Sequence, residues 1–233
     1  MNSPSHRPSR SVNVSGRALT PPRHICCFFD SRNQQYETLV PYVLDGLANG
    51  EKVLMVMDSE FLDDHHARLR SGGVAVDAAQ ANGHLCSHCT DTTYLAGGSF
   101  EKARMYRMLE EELQSLPARS FTSLRTFGDM NWALRDMEGI DEIMDYEMTV
   151  NDLLAKHDAT FMCGYDANRI SGHTMLDILA THSHVLMGTV VHENPYYVPP
   201  EEYRRSLMAR RANTSAVVDK DRLPWSKLFT KTV

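Results

Sequence analysis

From Ile140 onward, Ile140, Ile143, Glu147, Val150 and Leu154 recur at three- and four-residue spacing, which puts a carboxylate in the middle of the apolar stripe of a helix. Asn151 follows one turn later, beside it. A bare carboxylate in low dielectric costs about several kcal/mol, so Glu147 must be paired, hydrogen-bonded or protonated. One solution is a ligand-facing site. Asp129 and Glu147 would supply carboxylates, and Asn131, Trp132, Tyr146, Asn151, Tyr165 and Asp166 would supply amide, aromatic, phenolic and acidic groups. The other is purely structural: Arg125 or loop N–H groups satisfy Glu147 and pin the strand-to-helix connection. If the two carboxylates share a dry pocket, one should titrate high, and an Arg125 partner would push the other way.

A second cluster, His84, Cys86, His88 and Cys89, has the residue types of a zinc or redox site. Four ligands within six residues cannot converge on one ion if the run is extended, and no second pair follows at the usual distance. Cys163, His182, His184 or His192 would have to act as a remote ligand. We therefore assign no metal from the sequence and keep the four as candidates only. Ser171, His173 and Asp177 lie close together but lack a nucleophile elbow, and a coincidental grouping explains them. The loop after the first strand reads Asp30-Ser-Arg-Asn-Gln-Gln-Tyr-Glu37, with neither glycine nor lysine to cradle a phosphate. No catalytic residue and no cofactor is assigned. Arg32, near a helix start, suits an anion or plain solvent.

These groups need a scaffold. His24–Phe29, Lys52–Met57, Phe121–Phe127, Ala159–Cys163 and His184–Met187 read as strands, the central ones as buried apolar runs; Val74–Val76 is expected as a short third parallel strand. Helical patterns cover Gln34–Ala48 with Pro41 inside, Ser59–Arg70, Phe100–Leu116 with Ser99 as N-cap, the segment after Ile140, and Met175–Ala180. Alternation of strand and helix predicts an α/β fold, a wound, mostly parallel β-sheet with helices on both faces. Asp30, Asp58, Gly128–Trp132 and Tyr165-Asp166 then follow strand ends along one edge, where such sheets bind ligands. Asn194–Pro200, with Tyr196 and Tyr197, is either a cover for that edge, a surface for a partner or a strap.

Residues 1–23 read as a disordered leader, 24–203 as one domain and 204–233 as a basic tail carrying Trp225 and Phe229. The two ends, 1–24 and 201–233, hold twelve bases and four acids, which leaves twelve bases against 26 acids between them, a central charge of −14. Such a body repels nucleic acid, so only the tails would touch it. With no run of eighteen apolar residues and no signal-peptide core, the expectation is a cytoplasmic protein without a membrane partner. Five cysteines in a chain this long are expected as thiols.

The stretches HICCFF from His24, LVPYVLDGLANGEKVLMVMD (Leu39–Asp58), LRTFGDMNWAL (Leu124–Leu134), YEMTVN (Tyr146–Asn151), FMCGYD (Phe161–Asp166), THSHV (Thr181–Val185) and ENPYYVPPEEY (Glu193–Tyr203) together resemble the MEDS domain family, named for methanogens, methylotrophs and a dichloromethane-responsive regulator. The resemblance implies a RecA/KaiC-like fold without working nucleotide-hydrolysis motifs, used as a signal-input module. Asp129 departs from the glutamate usual there, so a shorter carboxylate must reach the same partner or abandon it. Family members are often fused to a kinase or DNA-binding domain, and the expectation from 233 residues is that there is no room for one here. The expected function is therefore a non-catalytic sensor that binds a small molecule and signals through a separate regulatory protein, such as a kinase, an anti-sigma factor or a transcription factor, or through homo-oligomer rearrangement. An adaptor without a ligand and a metal or thiol redox sensor are the alternatives.

Overall fold

The computed structural model describes residues 12–135 and 137–217. The chain opens with a hairpin, β1 (Val12–Val14) and β2 (Arg17–Leu19). Ser15 and Gly16, both at positive φ, make the two-residue turn that matches strand twist. Seven strands form the main sheet: β3 (Arg23–Phe29), β4 (Lys52–Met57), β5 (Leu85–Cys89), β6 (Leu124–Asp129), β7 (Ala159–Asp166), β8 (His184–Met187) and β9 (Val190–Glu193). Their order is β5-β4-β6-β7-β3-β8-β9, parallel throughout except for β9, which returns antiparallel on β8. Strands covered on both faces have to be apolar on both, hence KVLMVM in β4, every residue of which is buried.

The helices are α1 (Arg32–Ala48), α2 (Leu62–Ser71), α3 (Val76–Ala81), α4 (Lys102–Ser115), α5 (Ile143–Lys156), α6 (Gly172–Thr181) and α7 (Pro200–Val217). The hairpin, α1, α2 and α3 bury one face of the sheet; α4, α5, α6 and α7 bury the other. α1 continues past Pro41, which is exposed, at the cost of one backbone hydrogen bond. Among the described residues no helix is long and apolar enough to cross a membrane.

Several expectations are corrected. Val74–Val76 is no strand: Val74 N bonds to Leu69 O behind α2 and Val76 begins α3. The place beside β4 is taken by β5, and the Asp-Ala-Ala-Gln that follows Val76 favours helix. Ser99 does not cap α4, which starts after Glu101; Lys102 N reaches Glu142 Oε2 instead, and the Ser99 carbonyl accepts from Arg104. Of the predicted leader, residues 12–22 are built into the fold, with Val12, Val14 and Leu19 in the core. Of the predicted tail, 204–217 is helical and Leu207 is buried. Trp225 and Phe229 lie outside the described residues.

Candidate functional site

β3 and β7 are neighbouring parallel strands whose following helices, α1 and α6, leave to opposite faces of the sheet. That divergence opens a crevice beyond their carboxyl ends. The cleft there has a volume of about 340 Å³ and is lined by Phe29 to Arg32 and Gln35, by Asp58, Glu60 and Phe61, by Asp129, Asn131 and Arg135, and by Gly164, Tyr165, Asp166 and Arg169. It carries both charges. Arg135 pairs with Asp58 at 2.7 Å, whereas Arg32 lies over the Phe61 ring, 3.4 Å from its centroid, with Nη1 buried and without a hydrogen-bond partner among the described residues.

Asp129 forms the floor. Its Oδ1 accepts from Asn131 N (3.1 Å) and Nδ2 (2.7 Å), and Asn131 Oδ1 accepts from Asp166 N (2.9 Å), which locks the ends of β6 and β7 together. Burial raises the Asp129 carboxyl above its ordinary value; its amide donors and Arg32 oppose that, and Asp58 adds to it. Gly128 is required just before it, because a Cβ there would sit 2.4 Å from the Tyr94 hydroxyl.

The predicted ligand set divides in two. Asp129, Asn131, Tyr165 and Asp166 line the cleft; Trp132, Tyr146, Glu147 and Asn151 do not. Trp132 is fully buried, stacked on Tyr94 (4.8 Å) and packed on Phe100 (5.0 Å), with Tyr146 edge-on to both. Aromatic area buried this way ties the Tyr94–Phe100 segment that leads into α4 to Tyr146 of α5 rather than meeting a ligand. Sequence reasoning missed Gln35, Arg135 and Arg169 because each lies beyond a strand end by a distance that only the fold sets.

Glu147 is completely buried in the opposite layer, and Arg125 is not its partner. Arg125 points to the other face, where it meets Glu51 (2.5 Å), Asp45 (2.8 Å) and the Tyr42 carbonyl. Glu147 instead faces His24 from β3 (Oε2 to Nε2, 3.3 Å), His182 just past α6 (3.7 Å) and the Tyr165 hydroxyl (Oε1, 3.4 Å). Cys163 completes the group, its Sγ 3.7 Å from His24 Nε2. The register explains the meeting: Cys26 pairs with Cys163 across β3 and β7, and strand alternation turns His24 to the same face. Sequence reasoning gave Cys163 and His182 only as remote helpers of another cluster and gave His24 no role. His84, Cys86, His88 and Cys89 run along edge strand β5, where His84 packs edge-on to Phe121 and Cys86 turns to the Gly83 carbonyl. They do not converge.

The remaining candidates have structural duties. Ser171 caps α6 by accepting from Thr174 N, and Asp177 accepts from Tyr203 and pairs with Arg210. Asn194 donates to the Leu179 and His182 carbonyls, and Val198 N bonds to Ala180 O, so the proline-flanked segment straps down the end of α6.

Residues 23–183 match the family described as the MEthanogen/methylotroph, DcmR Sensory domain (MEDS). The chain belongs to the MEDS family. MEDS domains are sensory modules, which sets the broad role of this one. The MEDS chain is 24% identical over 184 residues to the transcriptional repressor DcmR of Methylorubrum extorquens strain DM4, covering 73% of this chain and 62% of the repressor. It thus spans less than two thirds of that relative's length. Among solved structures, this MEDS fold is similar to the KaiC-like protein PH0186 from Pyrococcus horikoshii OT3, with a TM-score of 0.55, 15% identity, and 76% and 80% of the two chains covered. That likeness concerns the fold alone.

Proposed function

We propose that this MEDS domain is a non-catalytic sensor whose strand-end cleft takes a small polar molecule and whose response is read by a regulatory protein. The observation that carries this is Asp129: a buried carboxylate with a raised pKa, fixed by Asn131 and lining a cleft that Arg32 also lines, its Nη1 without a hydrogen-bond partner among the described residues. A molecule presenting a donor to Asp129 and an acceptor to Arg32 would satisfy both. The glycine- and lysine-free turn at Asp30–Glu37 supports binding without nucleotide hydrolysis. The chain path supports a relay, since Asn131 lines the cleft while Trp132, next to it, is packed on Tyr94 and Phe100, which Tyr146 of α5 meets edge-on. A ligand that favours one setting of this turn shifts the population of the other.

The test is tryptophan fluorescence of a Trp225→Phe chain, in which Trp132 reports alone, titrated with acetate, succinate, ethanolamine, glycine and glycerol. A saturable change that Asp129→Asn removes is expected. A folded chain that answers to no member of this set, and that releases no small molecule on denaturation after native purification, would refute the reading.

A further inference from the structure

We propose that His24, Cys163, His182 and Glu147 form a buried zinc site, separate from the cleft. Their ligating atoms lie within 4.8 Å of one another, and all four side chains are buried. The hydrogen-bond network aims them. Asn151 Nδ2 donates to the Glu147 and Thr181 carbonyls, so its Oδ1 is the atom facing His24 Nδ1 at 3.2 Å, and that nitrogen carries the proton. His182 Nδ1 faces the Ile178 carbonyl at 2.8 Å and carries its proton for the same reason. Both Nε2 atoms therefore point lone pairs inward. This is the outer-shell pattern that orients metal-binding histidines.

What those lone pairs meet is more electron density. His182 Nε2 and Glu147 Oε2 are 3.7 Å apart, both buried and both without a hydrogen-bond donor among the described residues. Protons on both Nε2 atoms would place two imidazolium rings 3.8 Å apart in the core. A single dication resolves the conflict. With Zn–N and Zn–O near 2.0 Å and Zn–S near 2.3 Å, tetrahedral angles put N and O about 3.3 Å apart and S and N about 3.6 Å apart. The His24–Glu147 separation is 3.3 Å and the Cys163–His24 separation 3.7 Å.

Charge also closes. On binding, the Cys163 thiol releases its proton to solvent, and one thiolate, one carboxylate and two neutral imidazoles then balance the ion inside a dry core. Nitrogen, sulfur and oxygen in a closed four-ligand set suit zinc. Neighbouring Cys26 is not a ligand, since its Sγ turns to the His184 carbonyl.

The experiment uses the full chain, purified without a histidine tag and loaded with Zn(II) or, as a spectroscopic probe, Co(II). One zinc per chain is expected, and the cobalt form should show the strong visible bands of a tetrahedral ion with a thiolate-to-metal charge-transfer band. Cys163→Ser should remove that band and weaken zinc binding at least about 100-fold, in keeping with the losses seen when metal shells are cut. The Cys86→Ser/Cys89→Ser double variant should change neither. A folded wild-type chain without stoichiometric zinc, a cobalt spectrum lacking the thiolate band, or a band lost with Cys86 and Cys89 rather than with Cys163 would each overturn the proposal. Should Cys163→Ser fail to fold, the wild-type cobalt spectrum and the double variant decide it. No ligand of this site lines the cleft, so failure here leaves the sensing proposal standing, and the reverse holds too.

Discussion

The Tyr165 hydroxyl donates to Glu147 Oε1 across 3.4 Å, while the same residue lines the strand-end cleft. Tyr165 thus joins the surface where a ligand would arrive to a carboxylate that is completely buried. Phe28 stacks on it at 5.8 Å, and the His182 ring meets it edge-on at 6.3 Å. Replacement by phenylalanine keeps this packing and removes only the hydroxyl. Tyr165→Phe should cost about 1 kcal/mol, the net worth of one such bond, measured as a shift of the urea midpoint.

Arg125 and Glu51 are both almost fully buried, on the face away from Glu147. Taking the guanidinium away from a buried carboxylate costs more than the pair itself contributes, so Arg125→Met should destabilise by about 3–5 kcal/mol. The double variant Arg125→Met/Glu51→Met should recover most of that loss, because two apolar chains of similar length need no partner. Chemical denaturation of the four forms gives the coupling.

His65 is buried beside Tyr36, its Nδ1 2.8 Å from the phenol oxygen, and its pKa is lowered from 6.5 to about 4. Burial is the main cause; His66 and Arg32 push the same way and Asp64 opposes. Between those two values the unfolded chain binds more protons than the folded one, so stability falls as pH falls through the window and is fully present above 6.5. On going from pH 7 to pH 4 the wild type should lose up to roughly 3 kcal/mol that a His65→Gln variant does not lose, read from denaturation curves at the two pH values.

Asp129 has the opposite sign. Its folded pKa is raised above 3.8, chiefly by burial, so the folded chain holds the proton to higher pH than the unfolded chain does. The carboxyl therefore costs stability once pH passes above that window. Asp129→Asn, which keeps the Oδ1 that accepts from Asn131, should raise Tm at pH 8 and raise it less at pH 4, while the cleft loses its response to ligand. A site that exchanges stability for binding behaves in this way.

Much of the sheet was legible because buried parallel strands leave continuous apolar runs, as at Lys52–Met57 and His184–Met187, where the expected and observed bounds agree. Val74–Val76 misled because three apolar residues beside Gly72-Gly73 fit a strand or a buried turn equally well, and only the pairing of β5 with β4 chooses. Asp129, Tyr165 and Asp166 were legible as cleft residues because they end strands, and Asn131 because it follows one by two residues. Trp132 and Tyr146 were not, since a residue's distance along the chain from a strand end does not say which layer receives its ring.

From sequence alone it follows that Glu147 lies on the apolar face of a helix and needs compensation, for helical periodicity and the cost of burying charge are local facts. Which groups compensate it is not local. Arg125 and His24 both lie on strands flanking the central one and both are polar, yet strand alternation and register send Arg125 toward Glu51 and bring His24 and Cys163 to Glu147. His182 arrives from 35 residues further on, only because α6 ends there under the strap at Asn194. Convergence of this kind depends on long-range strand pairing, and pairing is decided when the sheet assembles.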